Sequence, residues 1–326
     1  MDRLCLFIVP YFGTFPNYFP LFLESCRRNP SYSWLILTDN REPYDYPENV
    51  RVVHMEFDQL RQSFQEKLDI PIALERPYKL CDFRPAYGFL LEEYLEGFRY
   101  WGHCDSDLVF GNLERMLTPL LDQDYDKLFA LGHLVLYRNT RENNRRFMEP
   151  YRGELFYKKV FANPDNCWYD EDYRNDGNIH RIFLEDGARV WDKDLSFGVS
   201  VEQTRFRRVS YAGPDTGCIW HPVRRALYVW NQGELEETFL EKGKLKTSTY
   251  LYMHFQLRNM RFRRGMEKEA VIRIYPNGFR PLDSYPADRK QWRRLSRYSP
   301  NFQYFSIRWR RVKRRLENWL RKPKQA

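Results

Sequence analysis

The pair of carboxylates in Asp105-Ser106-Asp107 is the feature of this sequence best suited to chemistry. They stand at positions i and i+2, directly after the apolar run Phe98–His103 (FRYWGH). A buried strand ending there would project both acids from the carboxyl edge of a sheet, where open α/β folds bind ligands. Hard divalent cations take oxygen ligands, usually one or two carboxylates completed by substrate phosphates. An ion held this way neutralises a diphosphate leaving group. Asp-x-Asp also arises by chance, and the plain alternative is two solvated loop acids. The strand before it, Leu108-Val109-Phe110-Gly111 after it and Trp101 upstream favour the metal and diphosphate site, in which Ser106 shares.

Four further groups fit the same chemistry. Pro10, Tyr11 and Phe12 follow a first apolar run, and Thr38 and Asp39 close a second. Such strand ends hold nucleotides, with Thr38 and Asp39 able to hydrogen-bond a ribose or base; both are also ordinary β-to-α connections. Lys79, Asp82 and Arg84 lie in a loop leading into a helical run (YKLCDFRPAYG). Cations near a helix start suit a phosphate or a cluster of sugar hydroxyls, or else form a surface salt-bridge loop. Asp170, Glu171 and Asp172 can orient or deprotonate an acceptor hydroxyl, or simply cap the helix that follows. His254, inside the apolar stretch YLYMHFQ, reads alone as a core histidine. Imidazole can nonetheless complete a Mn²⁺-type site begun by two carboxylates.

The elements that must position these residues follow from apolar patterning. Leu4–Val9, Trp34–Leu37, Val50–His54, Phe98–His103, Lys127–Ala130, Leu134–Tyr137 and Leu251–Phe255 read as strands. Tyr18–Cys26, Pro85–Leu95 and the run within Tyr169–Leu184 read as helices. Alternating strands and helices predict an α/β fold with an open, mostly parallel sheet and flanking helices.

The 326 residues give a sizeable core, and 43% hydrophobic with 30% charged residues is a globular composition. The six cysteines form no CxxC pair, which excludes a zinc knuckle or a dithiol redox motif and predicts reduced thiols. There is no GxxxxGK[ST] phosphate loop. No basic n-region with a cleavage site opens the chain, and no apolar stretch is long enough to span a membrane. These features predict a cytoplasmic protein.

The net charge of +9 is concentrated in the last 38 residues, which hold 14 Lys/Arg and one acid, Glu317. Residues 289–326 sum to +13 and residues 1–288 to −4. Phe305, Trp309, Val312, Leu316, Trp319 and Leu320 form an apolar stripe at helical spacing, with arginines and lysines filling the rest. A cationic amphipathic helix with two Trp suits an anionic membrane surface at the inner face. Docking on the domain and nucleic-acid binding are the alternatives; the net −4 of the remainder speaks against a general nucleic-acid surface.

Three blocks, KLCDFRPAYG, YWGHCDSDLVFG and MHFQLR, resemble GT-A glycosyltransferases, specifically bacterial putative glycosyltransferases of cell-surface polysaccharide clusters. The layout of residues 4–260 is more distantly similar to glycosyltransferase family 8, with its glycogenin-like and lipopolysaccharide galactosyltransferase members. That resemblance implies a GT-A (Rossmann-like) fold, with Asp105, Asp107 and His254 on Mn²⁺ or Mg²⁺. It places Asp170-Glu171-Asp172 beside the reacting sugar, although the middle residue is Glu where family 8 has Gln. Gln256-Leu257-Arg258 stand where that family has Gly and Lys-Pro. The implied donor is a nucleotide-sugar, with a UDP-sugar favoured, and the acceptor a glycan or lipid-linked glycan. The expected organisation is a catalytic domain over 1–260 and a basic, aromatic extension over 261–326. A metal-dependent nucleotidyl- or phosphoryl-transferring enzyme stays open as the alternative.

Overall fold

A computed structural model describes residues 3–173, 176–200, 205–256, 258–297, 305–306, 308–310 and 312–313. It is a mixed α/β structure with a large sheet, two smaller sheets and flanking helices. The large sheet contains β1 (Arg3–Pro10), β2 (Tyr32–Thr38), β3 (Val50–His54) and β4 (Phe98–Cys104). These four run parallel in the order β3-β2-β1-β4. The burial of Cys5 through Val9 and of Trp34 through Thr38 explains their continuous apolar character, since helices or other strands cover both faces.

β5 (Leu108–Phe110) follows the Asp-Ser-Asp turn. β6 (Lys127–Leu128), β7 (Leu134–Arg138) and β8 (Val190–Trp191) then extend the large sheet, β7 running antiparallel to β4. The helix α1 (Phe19–Arg27) covers one face and α2 (Phe57–Lys67) the other. α2 begins with a capping box between Glu56 and Gln59, which satisfies two otherwise orphaned backbone donors.

The second sheet joins β9 (Phe197–Val199), β10 (Arg208–Tyr211), β11 (Cys218–Trp220) and β15 (Tyr252–His254) to β5. Between β11 and β15 the chain builds β12 (Ala226–Asn231), β13 (Glu234–Glu241) and β14 (Lys244–Thr249). With β16 (Val271–Tyr275) and β17 (Gly278–Pro281) these form a third, antiparallel sheet. Its inner face carries Tyr228, Trp230, Ile272 and Ile274 into a cluster with Val109, Met253 and Phe255. Its outer face carries Leu227 and Val229 against Trp292 of the helix Arg289–Leu295.

Two expectations change. Pro85–Leu95 is not one helix: Tyr87–Leu90 is a single α turn between 3₁₀ turns. Leu91, at φ −128° and ψ 30°, leaves the helical region and stops it. Within Tyr169–Leu184 the helix is Ile179–Glu185, capped by the Asn178 side chain on the Arg181 amide, so the acids at 170–172 are not its cap. β16 pairs with β12 along Tyr228–Asn231, so the third sheet takes strands from both sides of residue 260. Leu316, Trp319 and Leu320 of the apolar stripe lie outside the described residues, as do Arg174, Asn175 and Leu257. Phe305, Trp309 and Val312 are described and exposed. Among the described residues no helix is long and apolar enough to cross a membrane.

Candidate metal centre

Strand pairing explains how residues far apart in sequence meet. β4 ends at Cys104, and the Asp105 amide donates to His133 O at 3.1 Å. β5 starts at Leu108, which stands opposite His254 in the antiparallel β5–β15 pair. The Phe255 amide donates to Asp107 O at 3.0 Å and locks that register. Gly111 allows the close approach: a Cβ there would lie 2.3 Å from Tyr250 O.

Asp105, Asp107 and His254 therefore converge, with one ligand atom from each lying within 4.8 Å of the others. His254 Nε2 is 3.1 Å from Asp107 Oδ1 and 3.3 Å from Asp105 Oδ2. Two carboxylates and an imidazole form a donor set that could hold a divalent metal ion. Burial disfavours the imidazolium, but the two carboxylates outweigh it and raise His254 to about 10. The His133 ring lies 4.6 Å from that of His254, and its Nδ1 pairs with Tyr252 OH at 2.6 Å. Burial holds His133 well below the ordinary histidine value, helped by His254.

Arg84 organises the acids. Its guanidinium binds Asp105, Asp170 Oδ2 at 2.9 Å and Gly132 O at 2.9 Å. Burial works against the charge on Asp105, but Arg84 and His254 hold it well below the usual carboxylate range. Burial pushes Asp107 up, with His254 pulling the other way. Asp170 packs so closely on Gly132 that a Cβ there would lie 2.4 Å from its Oδ2.

The acidic trio separates into three roles. Asp170 is 3% exposed and paired with Arg84. Asp172 accepts from Asn178 Nδ2 at 3.0 Å, Arg181 Nε at 2.9 Å and Tyr211 OH at 2.6 Å, which occupies both oxygens. Glu171 is partly exposed, and its one hydrogen bond among the described residues is a long 3.3 Å contact from the Gly132 amide. Its carboxyl is raised by burial and influenced by Asp105 and His254, which places it in the field of the metal cluster.

Lys79 and Asp82 do not reach this centre. Both are fully buried, and Lys79 Nζ donates to Asp82 at 2.8 Å, to Val160 O at 3.0 Å and to Asp165 O at 2.7 Å. Asp82 also accepts from the Cys167 and Tyr169 amides, at 2.8 and 3.0 Å. The pair fixes the segment that delivers Asp170. All three Lys79 Nζ donors are used internally.

The β1 and β2 ends are tied together. Asp39 Oδ1 accepts from the Gly13 amide at 2.7 Å, and Asn40 Nδ2 donates to Gly13 O at 3.1 Å. Thr38 is buried and its Oγ1 accepts from the Asn40 amide at 3.1 Å. Pro10 closes β1. Phe12 packs edge-on against Phe57, with centroids 5.3 Å apart. Tyr11 stacks on Phe15 at 4.8 Å, and burial with the Asp107 charge raises its phenol. Of these, Tyr11 is the one whose charge environment couples to the metal cluster. Ser106 is buried between the two ligating acids. Sequence reasoning missed His133 and Tyr252; the Gly132-His133 turn between β6 and β7 was the available signal.

No curated protein matches the chain. Among solved structures it resembles galactosyltransferase LgtC in complex with donor and acceptor sugar analogues. The identity is 11% over 60% of this chain and 76% of that one, with a TM-score of 0.32. An active-site mutant of LgtC gives 11%, 60%, 75% and 0.32. Mouse xyloside xylosyltransferase 1, in its apo form, gives 10%, 61%, 88% and 0.34. Likeness at these TM-scores says nothing of chemistry, which is read from the side chains alone. A family model matches residues 7–283, most of the chain, and its description is a family of unknown function, DUF6625. The chain belongs to that family of unknown function, DUF6625.

Proposed function

We propose that this protein is a divalent-cation-dependent glycosyltransferase that moves a sugar from a nucleotide-sugar, a UDP-sugar favoured, to a glycan or lipid-linked glycan acceptor. The observation that carries the reading is the convergence of Asp105, Asp107 and His254 at the ends of β4, β5 and β15. Bound Mn²⁺ or Mg²⁺ would neutralise the diphosphate leaving group. The remaining chemistry belongs to the chain. Arg84 keeps Asp105 ionised and fixes its direction. Asp170, held by the same guanidinium, stiffens the wall beside it. Glu171, the trio member without a committed oxygen pair, is the group we assign to the substrate, against an acceptor hydroxyl or the reacting sugar. Tyr11 and the cross-linked Gly13, Asp39 and Asn40 border the nucleotide side. The exposed Trp309 with neighbouring Arg308 and Arg310 fits attachment to an anionic membrane at the cytoplasmic face.

The test is a thermal-shift screen of nucleoside diphosphates with and without Mn²⁺, followed by sugar-nucleotide hydrolysis across a donor panel. A metal-dependent shift for one base and release of free sugar are expected. Release of pyrophosphate or inorganic phosphate instead would identify nucleotidyl or phosphoryl transfer.

A further inference from the structure

A cavity of about 980 Å³ opens on the outer side of the third sheet, beside the helix Arg289–Leu295. Arg225, Arg289, Lys290, Arg293, Arg294 and Arg297 line it, against the two acids Asp283 and Asp288. One of those acids is already engaged: Asp288 Oδ1 accepts from the Gln291 amide at 2.7 Å. Among the described residues no carboxylate forms an ion pair with Arg289, Lys290, Arg293, Arg294 or Arg297. Six cations facing one concavity with so little internal neutralisation would repel one another, and an anion relieves that repulsion.

The cationic wall is built rather than draped. Trp292 is buried and its Nε1 donates to Thr238 O of β13 at 2.9 Å. Arg225, ahead of β12, lies over the Trp292 ring at 5.5 Å and donates to Ser296 O and Oγ at 3.2 and 3.0 Å, and to Arg293 O. Trp292 and Arg225 thus clamp the helix to the sheet, and the arginines point outward from a fixed frame. The opposite face of the same sheet packs on Val109 and Met253, neighbours of the metal ligands. The cavity therefore lies on the face of the third sheet turned away from Val109 and Met253.

We propose that this cavity seats the phosphate headgroup of an anionic phospholipid. Arginine is the side chain best shaped for phosphate, through its planar fork of donors. Downstream, Phe305, Trp309 and Val312 are 61%, 70% and 45% exposed and alternate with Arg308, Arg310 and Lys313. Aromatic rings interleaved with cations suit the interface between headgroups and acyl chains. The proposal stands apart from sugar transfer, since it concerns a different face and a different readout.

The experiment is sedimentation of the full chain with vesicles of phosphatidylcholine alone or mixed with phosphatidylglycerol. Arg289→Gln, Arg293→Gln and Arg297→Gln are combined in one variant, and the same positions changed to Lys in a second. The parent chain binds only the anionic vesicles. The Gln variant loses affinity on the order of a hundredfold, from about fivefold per charge near such a surface. The Lys variant, which keeps the charge but lacks the planar fork, falls between the two, and both melt like the parent. A Gln variant within about fivefold of the parent overturns the proposal, as does equal binding to neutral vesicles. Millimolar inorganic phosphate should displace the vesicles beyond the effect of matched chloride, and its failure to do so would reduce the cavity to unspecific charge and overturn the proposal. Tighter binding to a single-stranded RNA than to the vesicles would assign it to nucleic acid and also overturns it.

Discussion

His254 Nε2 lies 3.1 Å from Asp107 Oδ1 although 147 residues separate them in the chain. The two are brought together by strand register alone, through Leu108 opposite His254. Changing either ligand should therefore remove the cation without disturbing the fold. For Asp107→Ala we expect a Mn²⁺-dependent thermal shift with nucleoside diphosphate to vanish while the apo melting temperature stays within a few degrees. His254→Ala should weaken the same shift. A full metal response in either variant would refute the ligand assignment.

Arg84 joins Asp105 to Asp170, which is buried and has no other cation in an ion pair with it among the described residues. Removing one partner of such a pair costs about 3–5 kcal/mol, because the uncompensated charge remains. Arg84→Met should fall near the lower end, since Asp105 keeps His254 as a neighbour. Mn²⁺ should restore part of the lost stability, by supplying positive charge to Asp105. Denaturant unfolding with and without Mn²⁺ measures both effects. A variant as stable as the parent would show that the bridge is not a structural element.

Glu171 and Asp172 should respond oppositely. Glu171→Gln is expected to lower kcat by at least about a hundredfold with little change in melting temperature, since it makes one long hydrogen bond. Asp172→Asn disturbs three hydrogen bonds and should lower stability first. Steady-state kinetics on a donor found by the screen, paired with melting curves, separates the two. The reverse pattern would move the substrate contact to Asp172.

Lys79 offers a contrast with the metal centre. Lys79→Ala leaves Asp82 buried with its charge uncompensated, and about 3–5 kcal/mol of destabilisation is expected. The donor KM of the folded fraction should be unchanged. A raised KM with native stability would return Lys79 to the substrate.

Lys127 sets a pH dependence of stability. It is fully buried, donates to Phe129 O and meets His180 Nδ1 at 3.1 Å. Burial lowers it from the ordinary lysine value to about 7. Folding therefore expels a proton between the folded value near 7 and the unfolded value of about 10.4. Its burial is most costly below the folded value, and stability rises with pH across that window, by up to about 1.4 kcal/mol per unit from this group. Lys127→Met should flatten the rise. Unfolding curves between neutral pH and pH 10 check the slope.

Much of the large sheet was legible because its strands are continuous apolar runs, and Asp105 with Asp107 was legible because such a run ends on them. His254 was not legible from its own surroundings; only the β5–β15 register explains it. The third sheet was missed despite clear turn signals. Gln232-Gly233 and Lys242-Gly243 both take positive φ, at 48° and 96° and at 49° and 80°, which two-residue hairpins favour. The burial of Lys79 and Asp82 was not legible, because a charged loop and a buried ion pair have the same residue types. Only burial distinguishes them.

The position of β5 has a further meaning for how the protein comes into being. Phe110 receives a hydrogen bond from Trp230 of β12, gives one to Ser25 of α1, and its strand pairs with β15. All three sheets meet within three residues of Asp107. A growing chain that has not yet released β15 carries both aspartates yet no complete ligand set. Any cation capture at this cluster would thus be a late event of synthesis, and a bound ion would report that the layers have closed around it.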